Sequence, residues 1–507
     1  MTSWEKEAEN FLVNETEFHL GFLPSEARNP LTMHLDEDFQ RSTAEGVKTL
    51  LACDLALLSH FRNALERPEY ASLIEAMRHA RKIVFSGCGA TGRLAILLES
   101  AWNETHPEKA RVLSIMTGGD FALIRSVENF EDYQEVGKKQ VEELGLNSED
   151  LLIGITATGE TASIIGSARE AAARGARVFM LICVPAEIPC SRLERCRELY
   201  TLPNVTILDI PIGGMAITGS TRMQSSTIEL LVAASALETA TGCSGVDYGE
   251  AYEQLLHSLS TPKSISSIAS CIDFEHEAYS KHRLIDYQPN DLLIDILSDT
   301  TERSPTFMIP PYKSLDEVDA PEPWAMVRNP TKSTEAIWQE LLRRPPRCIA
   351  WTRQDYERAN LAVLLQKGIP RIDTQALMRI PLGGELPIRN AIAVPICNQP
   401  EGALLIQDQS IGSKVVPTPL RLFEHLRMKL VMNIISTGTM VKFGRVRSNY
   451  MIHLAISNKK LVDRATRIIS ELCHVTYEQA CRELFRTQSM QTCKNTSPVA
   501  ETIRRLS

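Results

Sequence analysis

A chain of 507 residues is long enough for two or three domains, each with its own apolar core. A formal net charge of −9 leaves no broad cationic face for a phosphodiester backbone, which argues against nucleic acid. Twelve cysteines, scattered without a C-x-x-C pair or histidines at zinc-like spacing, argue against a metal centre and fit reduced thiols in a cytoplasmic or nuclear setting.

The polar, acidic start Met1-Thr2-Ser3-Trp4-Glu5-Lys6 does not read as a secretory leader, and no apolar run approaches membrane-spanning length, so no membrane is expected. Apolar positions at helical spacing from about 36 to 80, among them Leu50, Leu57, Phe61 and Met77, predict a helical leader. Strands are then predicted at 83–85, 112–116, 151–155, 178–182 and 205–210, and nearly all are apolar, as strands buried on both faces should be. Between them, 93–102, 131–144, 162–174 and 187–199 have the length of crossover helices. This alternation predicts an α/β fold with a doubly wound parallel sheet.

A mostly apolar helix is expected from Thr221 to about Thr241, ending at a glycine-marked break. The second half repeats the alternation less cleanly, with strands predicted at 292–297, 348–351 and 391–396 and a proline-rich insertion at 304–330. Helical periodicity returns at 420–443 and 458–484, and the last twenty or so residues read as a frayed tail. The expected division is a leader at 1–80, a first domain at 81–242, a helical connection at 243–285, a second domain at 286–417 and C-terminal helices at 418–507.

Three loops carry the chemistry: Gly87-Cys88-Gly89-Ala90-Thr91-Gly92, Thr156-Ala157-Thr158-Gly159-Glu160-Thr161 and Ile217-Thr218-Gly219-Ser220-Thr221-Arg222. Each follows a short apolar run. Ligands of parallel sheets sit outside the strands' carboxyl ends, where glycine admits close backbone approach and uncapped helix N–H groups favour an anion. The first loop also matches the dinucleotide pattern G-x-G-x-x-G, but Asp120 comes late for a ribose-binding acid, and a pyrophosphate needs one such loop where a sugar phosphate needs several. Each loop taken singly reads first as a tight turn or, at Thr161, as an ordinary helix cap; only the three together point to a phosphate. Glu128 and Glu131, three apart, would share a helix face and serve as sugar-hydroxyl acceptors or as a solvated first turn. No cofactor is expected.

The run Ser86-Gly87-Cys88-Gly89-Ala90-Thr91-Gly92-Arg93-Leu94, with Gly118-Gly119-Asp120, Glu131-Asp132 and Thr218-Gly219-Ser220-Thr221-Arg222-Met223, resembles the sugar isomerase (SIS) domain of N-acetylmuramic acid 6-phosphate etherases and of their relatives, the glucokinase regulatory protein family. Asn29-Pro30-Leu31-Thr32 and Ser298-Asp299-Thr300-Thr301-Glu302-Arg303 tilt the resemblance toward the regulatory family, which implies two SIS domains in tandem. Carried over by motif, the ligand contacts would be Gly89, Thr91, Glu128, Glu131, Thr158, Gly159, Thr161, Ser220 and Thr221, with Lys429 reaching back from a later helix.

The etherase needs an acid to protonate the leaving ether oxygen and a base to take the α proton. Ungapped counting places the acid position at Ala101, which has no proton to give; Glu99, two residues earlier, would point elsewhere on the helix. Glu131 matches the base. Ala90 stands where a hydroxyl residue is usual, and the second half has no comparable set of loops. The resemblance therefore implies a sensor of fructose 6-phosphate or fructose 1-phosphate acting on a glucokinase or hexokinase. The alternatives are an etherase acting on a muramic acid 6-phosphate through Glu131, and a sugar-phosphate isomerase.

Overall fold

A computed structural model describes residues 2–127, 129–384, 390–490 and 496–507. The leader forms α1 (Ser3–Asn14), α2 (Leu35–Arg41), α3 (Thr43–Leu65) and α4 (Pro68–His79). Ser42 starts α3 by accepting the Glu45 amide, and the helix buries Val47, Leu50, Leu57 and Phe61 along one stripe.

The first sheet contains β1 (Ile83–Gly87), β2 (Val112–Met116), β3 (Leu151–Ile155), β4 (Arg177–Ile182) and β5 (Val205–Asp209), all parallel and ordered β2-β1-β3-β4-β5. β1 and β3 are buried along their whole length, as their mostly apolar character requires; the buried exception is Ser86. The crossovers are α5 (Ala90–Thr105), α6 (Gln134–Leu144), α7 (Ala162–Ala173) and the pair α8 (Glu187–Arg192) and α9 (Glu194–Tyr200), divided at the extended Leu193. α10 (Gln224–Ala240) follows β5. Strand order reverses between β1 and β3, which opens a crevice at their carboxyl ends.

The second half begins with α11 (Tyr248–Leu259) and α12 (Pro262–Ser280). It continues through β6 (Leu284–Pro289), α13 (Leu293–Phe307), β7 (Ala325–Val327), α14 (Thr334–Leu342), α15 (Arg353–Arg358), α16 (Thr374–Met378), β8 (Ala391–Cys397), β9 (Leu404–Ile406) and β10 (Gln409–Ile411). Its sheet is ordered β10-β9-β8-β6-β7; β7, β6 and β8 run parallel, and β9 and β10 add an antiparallel edge. The chain is thus α/β with two sheet-and-helix layers between helical ends, the second sheet being mixed.

Three expectations for the second half are corrected. Residues 292–297 open α13 rather than a strand: a short, mostly apolar run fits either element, and here Asp295 and Asp299, one turn apart, bond His425 and Arg222 respectively. The strand is β6 just before it, whose apolar run is interrupted by Asp286, buried and paired with Arg328 at 2.7 Å. Residues 348–351 form no strand but contribute one antiparallel bridge, Cys348 to Gly119, joining the two halves. Residues 304–307 complete α13, with Pro305 inside it, and the rest of the proline-rich insertion reaches β7.

Past the second sheet come α17 (Leu422–Lys442), the short pair β11 (Val446–Arg447) and β12 (Tyr450–Met451), then α18 (Lys459–Cys473), α19 (Tyr477–Met490) and α20 (Pro498–Leu506). α17 is buried on nearly every side and packs against α3, α10, α12 and α13, which makes it the central post of the molecule. The expected frayed tail is instead α20, capped by Ser497 and docked through buried Val499 and Ile503. No helix among the described residues is long and apolar enough to cross a membrane.

Candidate functional site

The crevice at β1 and β3 deepens into a cleft of about 210 Å³, the scale of a monosaccharide phosphate. Its walls come from the loop after β1, the loop after β3, the loop before α10, one end of α13 and the start of α18. Gly89, the residue before α5, takes φ 55°, and a Cβ built there meets nothing within 4 Å, so its backbone faces open space. Neither α5 nor α7 carries a side-chain cap, although the Thr91 and Ile164 amides already donate to the Cys88 and Thr161 carbonyls; the other first-turn N–H groups are the ones an anion could use. Thr161 precedes α7 without capping it; its hydroxyl lies 2.9 Å from that of Thr156.

Thr91, Glu131, Thr158, Thr161, Ser220 and Thr221 all line this one cleft, together with Gly89 and Ala90. The Thr91 hydroxyl closes the first loop by donating to the Cys88 carbonyl at 3.0 Å. The Thr158 hydroxyl donates to Glu160 at 2.9 Å. Ser220 follows Gly219, whose φ of 73° turns the loop and whose missing side chain makes room for Arg464: a Cβ would stand 2.3 Å from its Nε. Gly159 lies behind the wall, its carbonyl accepting from the Tyr200 hydroxyl at 2.6 Å. Glu128 lies outside the described residues.

Lys429 does not line the main cleft. From α17 it reaches beneath the third loop, donating to the Arg222 and Met223 carbonyls at 3.1 and 3.3 Å and to Thr227 and Asn433 at 2.9 and 3.1 Å. Burial lowers its amino group to about 8, against the pull of Asp54 and Glu302. It is positioned to support the loop.

The lysine inside the cleft is Lys460, on the first turn of α18. Its amino group stands 3.4 Å from Glu160 and 3.6 Å from Glu131, and Asn458, which caps α18, donates to Glu131 at 3.2 Å. Burial opposes the Lys460 charge, yet the Glu160 and Glu131 carboxylates hold it above the ordinary lysine value. Two adjacent lysines at a helix start run against the helix dipole, and that mismatch was the sequence signal for a partner elsewhere. Arg464, one turn on, is gripped by the buried Glu26 at 2.6 Å; burial works against that carboxylate, but Arg464 and Arg467 hold it down to about 2.

Two further arginines face the cleft. Arg222 bonds Asp299 at 2.6 Å through Nη2, while its buried Nε and Nη1 have no hydrogen-bond partner; Arg93 bonds the Ala122 and Leu123 carbonyls and leaves Nε without one. Glu302 of α13 enters from the second half beside them, 3.8 Å from Arg222 Nε. Glu99 turns away from the cleft: its carboxylate takes the Ser114 amide and hydroxyl and ion pairs from Arg344 and Arg347. Ala101 is buried. No carboxyl of α5 therefore enters the cleft.

Family comparisons agree with this geometry. A model described as the glucokinase regulatory protein N-terminal SIS domain matches residues 68–171, and one described as the C-terminal lid domain of glucokinase regulatory protein matches residues 448–505. The chain is 32% identical over 243 residues to N-acetylmuramic acid 6-phosphate etherases of Salmonella agona (strain SL483) and Salmonella typhi, covering 47% of this chain and 75% of theirs. Among solved structures, tagatose-6-phosphate ketose/aldose isomerase from Escherichia coli is 11% identical with a TM-score of 0.41, over 79% of this chain and 94% of that one. The chain therefore carries an N-terminal SIS domain and a C-terminal lid domain of the glucokinase regulatory protein type and is related to the N-acetylmuramic acid 6-phosphate etherases.

Proposed function

We propose that the protein binds a sugar phosphate without turning it over and that occupancy changes its grip on a sugar kinase. The observation that carries this reading is the convergence of three hydroxyl loops, uncapped helix starts and Lys460 on one cleft that α5 supplies with no proton donor. The phosphate sits against Thr91, Thr158, Thr161, Ser220 and Thr221, with Lys460 beside it, and Glu131 accepts a ring hydroxyl. Fructose 6-phosphate and fructose 1-phosphate are the ligands the family relationship favours, and a glucokinase or hexokinase the partner.

Thermal unfolding against a panel of sugar phosphates tests the binding. A ligand at 100 times its dissociation constant stabilises a one-site protein by about 2.7 kcal/mol. No stabilisation by any of them refutes the reading. Adding the protein to a glucokinase assay, with and without the stabilising ligand, tests the regulatory part.

A second reading, ether cleavage, rests on Glu302. Burial, only partly offset by Arg93, Arg222 and Lys429, pushes its carboxyl above the ordinary value, as a general acid requires, with Glu131 as the base. Release of lactate from N-acetylmuramic acid 6-phosphate, abolished in Glu131→Ala, would establish it.

A further inference from the structure

Glu302 stands where an anion-binding cleft should least tolerate a carboxylate. It lies on α13, so the second half of the chain supplies it, and it faces groups from every neighbouring element: Arg93 on α5, Arg222 before α10, Lys429 on α17 and Asp299 on its own helix. Asp299 is already committed to Arg222, Arg303, Asn433 and Ser436. The Glu302 carboxylate has no such set; its nearest ion partner is Arg222 Nε at 3.8 Å, beyond hydrogen-bond length. Three buried guanidinium N–H groups, Arg93 Nε and Arg222 Nε and Nη1, remain without hydrogen-bond partners around it.

We propose that Glu302 sets the affinity of the cleft for anions: its carboxylate holds the Arg93–Arg222 field until an anion enters beside Arg222, and that anion binds together with one proton, which Glu302 receives. The inference rests on the sugar-phosphate reading of the same cleft and adds a coupling to it. No covalent bond changes; a proton from solvent converts the carboxylate to a carboxylic acid, which can then donate a hydrogen bond to the anion. Two negative groups in one partly desolvated site raise each other's proton affinity, and burial already displaces Glu302 in that direction. Affinity should therefore be greatest at low pH and fall as Glu302 ionises.

Sulfate is the probe, because it stays a dianion across the working range whereas a phosphate ester titrates within it. Calorimetric titration of the full chain with sulfate, in two buffers of different ionisation heat between pH 5.5 and 7.5, reads the protons taken up. Wild type is expected to take up as much as one proton, with the dissociation constant rising up to about tenfold per pH unit where Glu302 is ionised. In Glu302→Gln the uptake should vanish, and sulfate should bind more tightly than to wild type at pH 7.5.

Asp132 also lies near the cleft, and burial and Glu131 push its carboxyl up to about 7; Asp132→Asn should nevertheless keep the uptake. Pathways of failure are distinct. Zero uptake by wild type overturns the proposal whatever the variants' stability, as does uptake lost in Asp132→Asn but kept in Glu302→Gln. Absence of sulfate binding beside intact sugar-phosphate stabilisation sinks this coupling alone, whereas failure of the sugar phosphates themselves sinks the underlying reading.

Discussion

Glu26→Gln tests how the N-terminal segment holds the cleft together. The Glu26 carboxylate is buried and takes Arg464 Nε at 3.1 Å, Arg464 Nη2 at 2.6 Å and Arg467 Nη2 at 2.6 Å. Arg467 keeps a second partner in Asp463, at 2.9 Å, whereas the guanidinium bonds of Arg464 go to Glu26. The carboxyl is lowered from about 4.5 to about 2, and such a gap corresponds to roughly 3 kcal/mol at neutral pH. Because the folded value is the depressed one, this stability is complete above the unfolded carboxylate value and is lost as pH falls toward 2.

Urea unfolding of wild type and Glu26→Gln at pH 7 and pH 3.5 reads the difference. The variant should be about 3 kcal/mol less stable at pH 7, and the gap should narrow by about 1 kcal/mol at pH 3.5, where the wild-type advantage is partly titrated away. Since Arg464 packs against Gly219 and shares α18 with Lys460, the sugar-phosphate stabilisation should shrink too. A gap that stays the same at both pH values, or one below about 0.5 kcal/mol at pH 7, refutes the account of Glu26.

Lys460→Ala removes the lysine inside the cleft and should weaken sugar-phosphate binding by about 10- to 100-fold, the worth of a charge-assisted hydrogen bond, as measured by calorimetry. Unchanged affinity would place the phosphate elsewhere. Ala90→Ser adds a hydroxyl at the start of α5, facing the cleft, and should tighten binding by about 1 kcal/mol, or roughly fivefold; weaker or equal binding would show that the position does not reach the ligand. Ile503→Ala, on the docked α20, should lower stability by about 2–4 kcal/mol in urea, whereas a frayed tail would register almost nothing.

The first sheet and the three hydroxyl loops were legible because their signals are local. Strands buried on both faces must be apolar along their length, and a backbone that approaches a ligand needs glycine, so β1, β3 and their loops announce themselves. The second half was harder. β6 carries Asp286 in the sheet interior, acceptable only because Arg328 arrives from 42 residues away, and α13 begins with an apolar run that a strand would wear equally well.

Composition and pattern by themselves determined the α/β alternation and the three hydroxyl loops, and the family resemblance put an alanine, Ala101, at the etherase's acid position. Which lysine reaches the cleft was decided only by the folded chain. Lys429 and Lys460 are both lysines near helical segments, and the choice depends on α17 running through the core while α18 folds back over the loops. Glu99 and Glu302 part in the same way, the first drawn off by Arg344 and Arg347 and the second delivered beside Arg222. Charges separated by hundreds of residues meet only when the elements carrying them pack, and no local period records that meeting.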